Sequence, residues 1–61
     1  MNERVKHGKD ANGSETMTCG SVTATRVGPR LWSVVCLRTY RARMCHARGG
    51  ARLQVIRWAR A

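Results

Sequence analysis

One uncharged segment, residues 31–37 with the sequence LWSVVCL, places the strongest constraint on what this chain can fold into. Its branched and aromatic side chains fit a pleated strand better than a helix. Because successive side chains of a strand point to opposite faces, both faces of such a strand would be apolar. One face would carry Leu31, Val35 and Leu37, and the other would carry Trp32, Val34 and Cys36. A lone sheet cannot cover both faces, so the segment predicts either poor solubility or a contact with a protein partner or a second copy.

The supply of large apolar side chains is small for a packed domain. Leu, Ile and Val together number ten among 61 residues, and Phe is absent. This share is below the roughly 20 % that is typical of globular chains. The chain is therefore expected to be mostly disordered or to form a small all-β domain of marginal stability, whose order needs a partner.

Charge divides the chain into two parts. Twelve Lys and Arg residues against three Asp and Glu residues give a net charge of +9. Residues 1–15 are neutral as a group, rich in Asn, Gly and Ser, and without an apolar period, which predicts a disordered polar tail. Residues 16–61 contain nine Arg and no acid, and they are predicted to form a basic, β-rich segment.

Three runs rich in Thr, Val, Trp and Tyr predict strands after residue 16, namely residues 21–27, 31–40 and 52–58. Gly28 and Pro29 separate the first two runs, where Pro fixes one φ and Gly accepts a positive one. A Gly-Gly pair separates the last two, although residues 41–48 make that connection long and irregular. The pattern predicts a three-stranded antiparallel meander.

A short C-terminal helix is the alternative for the last run. At 100° per residue, Ala51, Val55 and Trp58 cluster on one side, while Arg57 and Arg60 fall on the other. A leucine among these arginines weakens the amphipathic pattern. Both interpretations of the C-terminus therefore stay open.

The Cys, His and acidic residues do not follow the spacing of a metal or catalytic site. Cys19, Cys36, Cys45 and His46 form neither the C-x₂-C nor the H-x₃-H pattern of a zinc site. An odd number of cysteines without a secretory signal predicts reduced thiols. Every carboxylate lies in the predicted tail, whereas acid–base catalysis depends on fixed separations between groups. No enzyme activity, metal or cofactor is therefore predicted.

The arginine set is the feature that points to a function. Guanidinium groups bind phosphates in a bidentate manner and stack on bases, and aromatic rings close to them in sequence can stack on the bases of a single strand. These residue types predict non-specific binding of RNA or another polyanion, without the signature of a sequence-specific domain. The predicted nucleic-acid-binding residues are Arg30, Arg38, Arg41, Arg43, Arg48, Arg52, Arg57, Arg60, Trp32, Tyr40 and Trp58.

Two alternatives to polyanion binding remain. The cationic C-terminus, with Val55, Ile56 and Trp58, would also suit an anionic membrane surface. The chain would alternatively have no selected function, because its Arg, Ala, Gly, Val, Trp and Cys are residues that GC-rich codons yield, and its core, caps and motifs are not tuned to one another.

The N-terminus mixes acids with bases and has no apolar stretch that would serve as a signal peptide. The longest apolar run has seven residues, far fewer than the roughly 20 that a bilayer-spanning helix needs. An intracellular, soluble chain is therefore expected.

Overall fold

The computed structural model describes residues 4–60. Its elements are β1 (Lys6–Lys9), β2 (Glu15–Cys19), β3 (Val22–Gly28), β4 (Leu31–Cys36), β5 (Arg41–Cys45) and α1 (Arg48–Arg60). The strands form one antiparallel sheet in the order β1-β2-β3-β4-β5, so each strand pairs with its neighbour in the chain. The prediction of a small, mostly β fold is confirmed at this level, and a C-terminal helix completes the domain.

The core lies between one face of the sheet and α1. Alternate residues of the three central strands are buried there, namely Met17, Cys19, Val22, Ala24, Trp32, Val34 and Cys36. Ala51 and Val55 of α1 complete this cluster, and the helix contacts β2, β3, β4 and β5. We call the side of the sheet beneath α1 the helix face, and the opposite side the open face.

The two apolar sides of residues 31–37 differ in burial. Trp32, Val34 and Cys36 point into the core, with at most 2 % of their surface exposed. Leu31 and Val35 are half-buried on the open face. A single helix therefore covers one apolar side of β4 and leaves the other side without a covering layer.

The C-terminal run is a helix and not the predicted third strand over residues 52–58. Ala51, Gln54, Val55 and Trp58 follow the i, i+3, i+4, i+7 spacing of a helical face. The gain from covering the sheet outweighs the strand preference of Val55 and Ile56, because propensity is a weak term beside tertiary burial. Among residues 4–60, this 13-residue helix with its four arginines is the only helix, and none there is long and apolar enough to span a bilayer.

The sheet has five strands where the sequence predicted three. Two of the predicted strands are β3 and β4, and β1, β2 and β5 are additional. β1 and the first residue of β2 lie in the predicted tail, residues 1–15. β1 pairs with β2 across a turn in which the Asp10 carboxylate accepts hydrogen bonds from the amides of Asn12 and Ser14, both at 2.9 Å. Val5 packs against the core cluster and anchors this edge. Residues 1–3 of the predicted tail lie outside the described residues.

Candidate nucleic-acid interface

The arginines of the strands all lie on the helix face. Each is opposite a buried residue of β4 in the sheet register, and together they are Arg26, Arg41 and Arg43. The helix adds four more arginines, all exposed: Arg48, Arg52, Arg57 and Arg60. Because α1 lies on this same side, the fold gathers the arginines of its strands and helix on one side of the sheet.

At the end of the sheet that holds the β3–β4 turn, the arginines have structural partners. The Arg48 guanidinium forms an ion pair with Glu15 at 2.6 Å. Arg26 donates from Nε to the Gly28 carbonyl at 3.2 Å and from Nη2 to the Pro29 carbonyl at 3.1 Å, which closes the turn. The first turn of α1 contains no acid, so the Glu15 carboxylate also supplies the negative charge that a helix N-terminus favours.

Three other arginines lie where α1 runs beside β5, on the side of the helix opposite Arg48. Arg43 donates from Nη1 to Gln54 Oε1 at 3.2 Å, which ties β5 to the helix. Arg41 is two residues earlier on the same side of β5, and Arg57 follows Gln54 by about one helical turn on the same side of α1. We call Arg41, Arg43 and Arg57 the arginine strip.

No side-chain carboxylate of residues 4–60 lies on the arginine strip. The two acids in this range are Asp10, in the β1–β2 turn, and Glu15, at the start of β2. Strands β3 and β4 separate Glu15 from β5, and Glu15 is already paired with Arg48. The positive charge of the strip is therefore offset by solvent ions, which a polyanion can displace.

Tyr40 directly precedes this strip in the chain and exposes its ring to solvent. The side chain is 89 % exposed, and the residue has a φ of 54°, in the left-handed region that residues other than glycine rarely adopt. It lies in the β4–β5 turn, directly before Arg41. Its exposure makes Tyr40 the aromatic residue best placed to stack on a base.

Replacement of Tyr40 by glycine is expected to raise the free energy of unfolding by about 1 kcal/mol, because glycine adopts a positive φ without steric cost. Urea denaturation monitored by circular dichroism measures the change. The matched control is Leu37→Gly, since Leu37 is also exposed and lies at the start of the same turn without a positive φ. This control should lose stability, and a loss of similar size in both variants would contradict the assignment of strain to Tyr40.

The two tryptophans are placed less favourably for stacking. Trp32 is 2 % exposed and lies in the core, where a base cannot reach its ring. Trp58 is half-buried and packs against the core cluster. Of the three aromatic residues predicted to bind nucleic acid, Tyr40 alone offers a whole ring to solvent.

The structure divides the predicted arginines between separate places. Arg38 is in the β4–β5 turn near Tyr40, and Arg60 is in the last turn of α1. Arg30 lies in the β3–β4 turn, at the end of the sheet that Arg48 also occupies. Arg52 faces a cleft over β1 that His7 also lines. Arg30, Arg48 and Arg52 therefore lie apart from the arginine strip.

Sequence reasoning missed Gln54, the residue that fixes Arg43. It is 8 % exposed, whereas a glutamine in a helix of a small domain is usually solvated. The signal was its position between Ala51 and Val55, on the apolar side of the helical pattern. A polar residue in that place requires a hydrogen-bond partner, and Arg43 provides one.

The three cysteines are free thiols, two of them buried and Cys45 half-buried. Hydrogen bonds from the side chain and backbone of Thr39, with further ones from the Arg38 backbone and Ser21, lower the pKa of the Cys36 thiol and outweigh the effect of burial. Within residues 4–60, no three His, Cys, Asp or Glu side chains are arranged to hold a metal ion.

Comparison of the chain with protein-family models, with curated proteins and with solved structures gives no match. A functional proposal for this chain therefore depends on its own residues. The feature that distinguishes one part of its surface from the rest is the arginine strip with Tyr40 beside it.

Proposed function

We propose that the chain binds single-stranded RNA or another polyanion without sequence preference, through the arginine strip and Tyr40. The observation that carries the proposal is the juxtaposition of an exposed, strained aromatic residue with arginines that no described carboxylate neutralises. Guanidinium groups bind phosphates in a bidentate manner, and their contacts release counterions. A base stacked on the Tyr40 ring would add about 1 to 3 kcal/mol without reading sequence.

The spacing of the strip suits an extended backbone. Arg41 and Arg43 are separated by one residue on β5 and lie on the same side of the strand. This repeat spans about 6.7 Å, which allows the two guanidinium groups to contact successive phosphates of an extended single strand. Arg57 then extends the charged surface from the sheet onto the helix.

The proposal assigns binding to the side of the sheet that carries α1. Domains that read RNA on a bare sheet do so with aromatic side chains on that sheet. Within residues 4–60, the strand positions of the open face carry neither an aromatic residue nor an arginine, as the register shows.

The half-buried Trp58 packs against the core. The membrane-surface alternative therefore has no fully exposed indole to insert, and we do not propose it.

Removal of two charges from the strip tests the proposal. The Arg41→Gln/Arg57→Gln variant is expected to bind a labelled single-stranded oligouridine about 25-fold more weakly than the wild type at 0.1 M salt. This value follows from two lost phosphate contacts on a single strand, each of which contributes about 0.7 to the slope of log K against log salt. Fluorescence anisotropy with purified protein measures the affinities.

The matched control is Arg30→Gln/Arg52→Gln, which removes the same charge at exposed positions away from the strip. None of these four arginines makes a side-chain hydrogen bond that holds the fold in the way that Arg26 or Arg43 does. The control should lose less than about threefold, since only long-range attraction changes. Equal losses in both variants would mean that net charge, and not the strip, determines binding.

A further inference from the structure

We infer that two copies of this chain pair through the open face of the sheet. This inference is independent of the proposed function, because the arginine strip and Tyr40 lie elsewhere. The strand residues of the open face that the sheet register assigns are Lys6, Gly8, Thr16, Thr18, Thr23, Thr25, Gly28, Leu31, Ser33, Val35, Ala42 and Met44. The occupant we propose is a second copy of the same face.

The distribution of charge on the chain favours this face over the others for self-association. The chain carries a net charge of +9, so two copies repel one another wherever their arginines approach. Lys6 is the single ionisable residue among the strand positions of the open face within residues 4–60, and it lies on the edge strand β1. Pairing of two open faces places both helices, with their arginines, on the outside. Pairing through the helix face or through α1 would instead bring arginines together.

The chemistry of the face also suits contact with a copy of itself. Met44 is 49 % exposed, and Leu31 and Val35 are half-buried without a covering element. Thr16 pairs with Thr25 across the β2–β3 ladder, and Thr18 pairs with Thr23. Threonine offers a methyl group for packing and a hydroxyl that can donate to or accept from a hydroxyl of the partner. Two such faces therefore bury apolar surface without leaving a charge unpaired at their centre.

The area of the face is near the minimum for a specific interface. Five strands spaced about 4.8 Å apart, with about five residues each at about 3.3 Å, give a face of about 24 by 16 Å. The flat area of two such faces is about 770 Å² in total, somewhat below the roughly 1,000 Å² that stable protein interfaces bury. We therefore expect a dimer with a dissociation constant in the micromolar range.

Sedimentation equilibrium of the purified chain tests the inference. The measurement spans 1 to 500 μM protein at 0.3 M NaCl, where repulsion between arginines is screened, with a reductant that prevents disulfide formation. The expected result is a single transition from the monomer mass of 6.8 kDa to twice that value. A monomer over the whole range, or a series of larger species without a dimer plateau, would overturn the inference.

A pair of variants then locates the interface. β3 is the middle strand of five, so Thr23 and Thr25 lie at the centre of the open face. Thr23→Lys/Thr25→Lys is expected to raise the dissociation constant at least tenfold, whereas Asn12→Lys/Leu53→Lys adds the same charge on a turn and on the outer side of α1 and should change it less than threefold. Circular dichroism confirms that each variant folds, and Thr25→Lys alone replaces the double variant if that one does not. Dimerisation that survives the face variant, or that both variants abolish equally, would contradict the open face as the interface.

Discussion

The Trp32→Ala variant is expected to lose the fold. Trp32 is 2 % exposed and lies in β4 beneath α1, so alanine at this position removes most of the largest side chain of the core. Truncation of a buried aromatic residue costs about 3 to 5 kcal/mol. Domains of this size rarely have more than about 5 kcal/mol of stability in total. The far-UV circular dichroism of the variant at 25 °C should therefore be that of a largely unfolded chain.

Two further variants make this result specific to the burial of Trp32. Trp32→Phe keeps a ring in the core and should fold with a lower urea midpoint than the wild type. Trp58→Ala removes the same side chain from a half-buried position and should cost less than Trp32→Ala. If Trp32→Ala unfolds at the wild-type urea midpoint but binds oligouridine more weakly, then Trp32 is a surface residue and the described packing of β4 is incorrect.

The strands that sequence analysis missed are joined by turns whose sequence signals it did not use. Gly20 and Ser21 form the two-residue turn between β2 and β3, where Gly20 has a φ of 62°, and a Gly-Ser pair at this spacing is a hairpin signal. Gly13, with a φ of 79°, plays the corresponding part between β1 and β2. Because the surrounding residues 1–15 are polar, the second signal was attributed to a tail. The residues of β1 show no alternation of buried and exposed side chains, because all four are exposed.

The side of β4 that is buried could not be predicted from the sequence. Both alternating sets of residues 31–37 are apolar, so no local pattern favours the side with Trp32 over the side with Val35. The choice depends on where α1 lies, and α1 depends in turn on a helical assignment that its β-branched residues oppose. Trp32 was predicted to stack on bases because it lies two residues from Arg30 in the sequence, and its burial removes the ring from the proposed interface.

The sequence predicted which residues form the candidate site but not that the fold brings them together. All three arginines of the strip and Tyr40 were among the residues identified from sequence. Their proximity depends on β5, which was expected to be an irregular connection, and on the contact between Arg43 and Gln54 across 11 residues of sequence. The left-handed conformation of Tyr40 has no sequence signal, because tyrosine is not a residue that favours it.

The affinity of the wild type for single-stranded oligouridine is expected to fall about 20-fold between 50 and 200 mM salt. Phosphate contacts by the arginines of the strip, one for each, give a slope of log K against log salt near −2 on a single strand, and a fourfold increase in salt then weakens binding by roughly that factor. Anisotropy titrations at four salt concentrations measure the slope. A slope near zero would exclude counterion release and, with it, the proposed role of the arginine strip.

The same titration separates the two parts of the proposed interface. Arg41→Gln/Arg57→Gln should bring the slope to about −0.7, so that the loss over this salt range is roughly threefold, because two phosphate contacts are absent. Tyr40→Leu should weaken binding by about tenfold at every salt concentration and leave the slope unchanged, since stacking releases no counterions. If Tyr40→Leu changes the slope while the arginine variant does not, the ring positions the charges and does not contact a base.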